Sequence, residues 1–86
     1  MRTYSPFFLQ KEESMMIYIE SPSGSFAFRK TAVNGVSIGP ANRQTTLYLK
    51  GGRLLITGNH YERIAEWIYD DDDNLHIETS TASFVR

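Results

Sequence analysis

Two turn dipeptides embedded in alternating sequence constrain this chain more than any other feature. Asn34-Gly35 lies between Val33 and Val36, and Gly51-Gly52 lies between the runs Thr45–Lys50 and Arg53–Thr57. A two-residue hairpin loop of type I′ needs positive φ at both central positions, which Asn and Gly tolerate. Both dipeptides are therefore expected at hairpin tips. Around the second, alternation puts Leu47, Leu49, Leu54 and Ile56 on the inner side of a sheet. A turn centred on the glycine pair sets Leu49 opposite Leu54, Leu47 opposite Ile56, Tyr48 opposite Leu55 and Lys50 opposite Arg53. Like charges facing each other are mildly unfavourable, so that tip is either simply solvated or holds an anionic partner.

The same period of two runs through Met15, Ile17 and Ile19 against Met16, Tyr18 and Glu20. Ser21-Pro22-Ser23-Gly24 is a turn, and Phe26 and Phe28 begin a second strand that completes a hairpin. Counting back from Asn34-Gly35 puts Val33 and Thr31 on the face opposite Phe26 and Phe28, so a bulge is expected near Arg29-Lys30. Gly39-Pro40-Ala41-Asn42 reads as a loop. Asn59 can cap a helix over 60–69, with Tyr61, Ile64, Ala65 and Ile68 on the stripe that packs on the sheet and Trp67 at its edge. Glu62, Glu66 and Asp70 form an acidic row beside it. Leu75, Ile77 and Thr79 alternate with His76 and Glu78 in a last strand, which the tail to Arg86 extends. The expected class is α+β: an antiparallel sheet of about five to six strands, built from hairpins and packed against one helix in the C-terminal half.

The chain has 86 residues, 41% hydrophobic, which suffices for one core and not for two. Residues 15–86 are read as one domain. Residues 1–14 are read as a flexible or short-helical arm, in which Ser5 before Pro6 can open a helical turn. Nine Lys and Arg against ten Asp and Glu, with 13% aromatics, is not the balance of a disordered chain. The absence of Cys removes disulfides and thiolate metal sites. The longest early apolar run, Phe7-Phe8-Leu9, falls short of a signal-peptide core, and no segment approaches a membrane span. A cytoplasmic soluble protein is expected, with no membrane association.

Motifs that carry chemistry are incomplete. Gly35-Val36-Ser37-Ile38-Gly39 has the G-x-S-x-G spacing of a nucleophile elbow, but that motif needs a strand-to-helix turn, and Ser37 falls inside a strand. Asp70, Asp72 and Asn74 open like a calcium loop, yet Leu75 stands where its glycine belongs and Thr81 where its glutamate belongs. His60 and His76 cannot close a tetrahedral zinc site. No catalytic residue, metal or cofactor is expected, and a binding protein is favoured over an enzyme.

Charge is segregated along the chain. Residues 21–58 carry Arg29, Lys30, Arg43, Lys50 and Arg53 and no acid, whereas residues 59–79 carry seven acids against Arg63 alone. Asp70, Asp71, Asp72 and Asp73 fall at the C-terminal end of the helix, where the macrodipole disfavours them. They are either a solvated turn or an acidic surface for a basic partner.

Two strings, Val33-Asn34-Gly35-Val36-Ser37-Ile38-Gly39 and Ile64-Ala65-Glu66-Trp67-Ile68-Tyr69, resemble in order and character a type I-F anti-CRISPR family. Small size, a hairpin-rich sheet, one helix and a concentrated acidic edge also resemble small phage-encoded inhibitors of host machinery. The resemblance implies a protein in the host cytoplasm that binds a Cas complex or a similar assembly and blocks nucleic-acid access. Its partner would be a host protein, or protein–nucleic acid complex, with a basic surface. Glu66, Asp70, Asp71, Asp72 and Asp73 would supply charge that competes with phosphate, and Trp67 would be the apolar anchor where it is partly exposed, the alternative for it being plain core packing. The alternative is a nucleic-acid-binding module that uses Arg29, Lys30, Arg43, Lys50 and Arg53 on phosphates and Tyr48 as a stacking platform. A third reading is a phage structural or accessory protein that self-associates, for example as a homodimer through a sheet edge.

Overall fold

The structure is a computed structural model that describes residues 15–70 and 73–86. The segment 1–14, read above as an arm, lies outside them. Among the described residues there are seven strands and one α-helix: β1 (Met16–Ser21), β2 (Gly24–Arg29), β3 (Val33–Ile38), β4 (Gln44–Leu49), β5 (Gly52–Thr57), α1 (Tyr61–Asp70), β6 (Leu75–Glu78) and β7 (Ala82–Val85). The class is α+β, as expected. The strands divide between two sheets, ordered β2-β1-β6 and β3-β4-β5-β7.

The first sheet starts from the β1–β2 hairpin, whose two-residue turn Pro22-Ser23 is closed by a 2.8 Å hydrogen bond from the Ser21 hydroxyl to the Gly24 carbonyl. Ile17 and Ile19 face Phe28 and Phe26 on β2, and Leu75 and Ile77 on β6. The β1–β6 pair is parallel, unlike the all-antiparallel expectation. A parallel pair needs a long crossover, and here the stretch from β2 through β3, β4, β5 and the helix supplies it. The Asn74 side-chain oxygen accepts from the Met16 N–H at 3.0 Å, setting the register where β6 enters.

Asn34-Gly35 is not a hairpin tip. Both residues lie within β3, where the pairing passes from Val33↔Leu49 to Gly35↔Tyr48 and leaves Asn34 as the extra residue of a bulge. Neither residue takes positive φ. The reason is that β2 and β3 do not pair. A 3-10 turn at Lys30–Ala32 carries the chain from one sheet to the other, so Phe26 and Phe28 meet the core from one sheet, and Val33 and Val36 from the other. The anticipated change of parity is real, but it is made by this switch and by the bulge at Asn34 rather than by a bulge at Arg29-Lys30.

The β4–β5 hairpin forms as expected, with its tip at Lys50-Gly51 rather than Gly51-Gly52. Gly51 takes the positive φ, at 89°, while Gly52 pairs with Leu49 inside β5. Leu47 therefore faces Leu54, Thr45 faces Ile56 and Tyr48 faces Arg53, a shift that preserves the inner and outer faces but separates Lys50 from Arg53. Gly52 is consumed by a close approach: a Cβ there would stand 2.6 Å from the Phe84 ring and from the Val85 carbonyl oxygen. Phe84 sits on β7, which does not extend β6 but crosses over to pair with β5. Thr79 makes that crossing, its N–H donating to Glu20 in the first sheet at 2.9 Å and its hydroxyl to Thr57 in the second at 2.7 Å.

The core lies between the two inner faces and the helix. Ile17, Ile19, Leu47, Leu54, Ile56, Ile64, Trp67 and Ile77 are essentially fully buried, each contributing about 1.5–3 kcal/mol through apolar burial. Phe28 stacks on Phe84 at 6.4 Å between ring centroids, joining the sheets at one edge. The Asn59 side-chain oxygen accepts from the Tyr61 N–H at 3.3 Å, as its capping position anticipates. Buried Thr45 positions the helix entry: its hydroxyl donates to the Gly58 carbonyl at 2.7 Å and accepts from the His60 N–H at 2.9 Å.

Candidate functional site

The core-facing side of α1 is Ile64 and Trp67, with Ala65 and Ile68 half-buried. This rotates the stripe read from sequence toward Trp67 and turns Tyr61 outward, to 38% exposure. Two rows at four-residue spacing then face solvent, Tyr61–Ala65–Tyr69 and Glu62–Glu66–Asp70. Together they line a shallow concavity of about 400 Å³ on the helix surface. Tyr69 stands 81% exposed, an aromatic with no core to cover. Stacked carboxylates repel one another, and Asp70 also faces the negative end of the helix dipole. A cationic partner would relieve both terms.

Of the two readings of Trp67, anchor or core, the structure gives the core: it is 1% exposed. Its indole N–H donates to the Asp73 carbonyl at 2.6 Å, and the Lys30 ammonium lies 5.3 Å from its ring centroid. An indole needs a partner for its N–H when buried, and the loop after the helix supplies one. Asp73 itself is exposed; Asp71 and Asp72 lie outside the described residues. Glu66 and Asp70 share one exposed face, which Glu62, Tyr61 and Tyr69 complete. Sequence reasoning found the acidic row but assigned Tyr61 to the core and passed over Tyr69.

The basic residues separate. Tyr48 and Arg53 are directly opposite each other on the outward face of the second sheet, and Lys50 stands in the turn beside them. Tyr48 is 42% exposed, and its hydroxyl lies 3.1 Å from that of Ser37. Ser37 sits in β3, inside a strand as expected. Arg43 lies before β4, at the other end of the β4–β5 hairpin from Lys50. Arg29 is on the first sheet opposite Met16, and Lys30 is in the 3-10 turn.

No group of three His, Cys, Asp or Glu side chains able to hold a metal ion occurs among the described residues. His76 stacks on Tyr18 at 4.8 Å on the first sheet, while the His60 ring packs over Gly58. No helix among the described residues is long and apolar enough to cross a membrane.

These features define an α+β protein with, among the described residues, two sheets, one helix and two exposed surfaces of different charge. Comparison with protein-family models, curated proteins and solved structures finds no match to the chain.

Proposed function

We propose that the chain is a non-catalytic inhibitor, encoded by a phage or mobile element, that acts in the host cytoplasm. Its acidic helix face docks on a basic surface of a nucleic-acid-handling complex such as a CRISPR-Cas effector. The observation that carries this reading is the exposed pair of rows on α1, Glu62–Glu66–Asp70 beside Tyr61 and Tyr69. Carboxylates held at helical spacing compete with phosphate for Lys and Arg side chains, which steers encounter and sets specificity. Exposed tyrosines supply the amphipathic area that interface hot spots favour. Such a blocker needs a rigid surface and no reacting group.

The test is capture from bacterial lysate with tagged protein, followed by mass spectrometry, comparing wild type with Glu62→Gln/Glu66→Gln/Asp70→Asn and with Tyr69→Ala. A specific basic partner should be recovered by wild type, progressively released by salt, and lost in both variants while their melting temperatures stay within a few degrees of wild type. Equal capture by all three proteins would remove the helix face from the function.

A further inference from the structure

We propose that the outward face of the β3-β4-β5-β7 sheet is a second binding surface, for single-stranded nucleic acid, with Tyr48 stacking a base and Arg53 and Lys50 holding the adjoining phosphates. Its outward side chains follow from the register in three rows: Gly35, Tyr48, Arg53, Val85; Ser37, Thr46, Leu55, Ser83; and Gln44, Thr57. The face is therefore hydroxyl-rich and cationic, with one aromatic ring in the row beside the hairpin turn. No Asp or Glu occurs anywhere in residues 21–58 or 80–86, which supply all four strands and the hairpin turn.

Three observations favour this ligand. The Tyr48 ring is 42% exposed on an open sheet, and the bond between its hydroxyl and Ser37 holds it in place, as a preformed stacking platform requires. Its neighbour on β3 is Gly35, where even an added Cβ would meet nothing within 4 Å, so open space lies beside the ring. Among the described residues the acids lie elsewhere: Ile64 and Trp67 hold α1 on the core side of this sheet, and Glu20 and Glu78 pair on the first sheet. The described acids therefore do not repel a polyanion from this face, because tertiary structure separates them from its cations. Hydroxyls of Ser37, Thr46 and Ser83 suit sugar and phosphate contacts, which carry affinity without reading sequence.

The experiment is fluorescence anisotropy of the whole chain with labelled oligo-dT, oligo-U and a duplex of equal length, at about 50 and about 200 mM salt. Wild type should bind one or both single strands and prefer them to the duplex. Tyr48→Ala should weaken binding about tenfold or more, and Tyr48→Phe should keep most of it, because stacking needs the ring, whereas the hydroxyl only helps to position it. Arg53→Gln should lower the slope of log K against log salt by about 0.7. Glu66→Gln/Asp70→Asn should bind oligonucleotide at least as well as wild type, although it would lose any partner of the helix face. No binding at the lower salt would overturn the proposal. So would equal binding by wild type and Tyr48→Ala, or a Tyr48→Ala effect confined to self-association in sedimentation.

Discussion

The indole N–H of Trp67 donates a 2.6 Å hydrogen bond to the carbonyl oxygen of Asp73, tying the last turn of the helix to the loop that leads into β6. The bond explains why the largest side chain of the helix is inward while Tyr61 and Tyr69 are out. Burial of the ring is affordable only with its one donor satisfied, and a carbonyl six residues on is within reach.

Trp67→Ala should therefore destabilise the protein by about 3–5 kcal/mol. Trp67→Phe, which keeps most of the apolar area but strands the Asp73 carbonyl, should cost less. Urea denaturation followed by circular dichroism measures both. A stability near wild type for the alanine variant would mean that the ring is not part of the core.

Thr45→Val is nearly isosteric, yet it removes the acceptor for the His60 N–H and the donor to the Gly58 carbonyl. Leaving such groups unpaired costs about 1–3 kcal/mol. The variant should lose that much stability, and amide exchange at His60 should accelerate, since the helix entry loses its anchor.

Gly52→Ala should destabilise by about 1–3 kcal/mol, because the new methyl meets both the Phe84 ring and the Val85 backbone. Gly52→Ala combined with Phe84→Ala should recover part of the ring clash but not the backbone one. A double-mutant cycle by thermal melting separates the two contributions.

Glu62 and Asp70 lie on one row at opposite ends of the helix, so neutralising them should act with opposite sign. Asp70→Asn should raise stability by about 0.3–1 kcal/mol at low salt, and Glu62→Gln should lower it by a similar amount. Both effects should fade at about 1 M salt, where the screening length falls to about 3 Å. Effects of the same sign would mean that side-chain contacts, not the dipole, govern this face.

Local pattern carried much of the architecture. Alternation put Leu47, Leu49, Leu54 and Ile56 on the inner side and grouped Ile17 with Ile19 and Leu75 with Ile77 on one face of their strands, and all eight are buried. The acidic row of α1 was equally plain, since four-residue spacing on a helix admits one geometry. Asn34-Gly35 misled because a dipeptide that tolerates a tight turn does not require one. Whether β2 and β3 pair is a question of sheet membership, which no local window contains.

By itself, then, the sequence determined most of the strands and the helix, the alternation of apolar side chains along those strands, and that acids and bases are segregated along the chain. Tertiary structure alone decided that the strands divide into two sheets, that β6 lies parallel to β1, and that β7 pairs with β5. It alone rotated α1 to bury Trp67 and expose Tyr61, and brought Tyr48 opposite Arg53 on a face whose own strands carry no acid. The physical reason is the range of the forces involved. Periodicity and propensity act over a few residues, whereas the choice of neighbouring strand and the rotation of a helix are settled by side chains distant in sequence that must fill one core. Phe84 over Gly52, Phe28 against Phe84 and Trp67 bonded to Asp73 are the contacts in which that choice is visible.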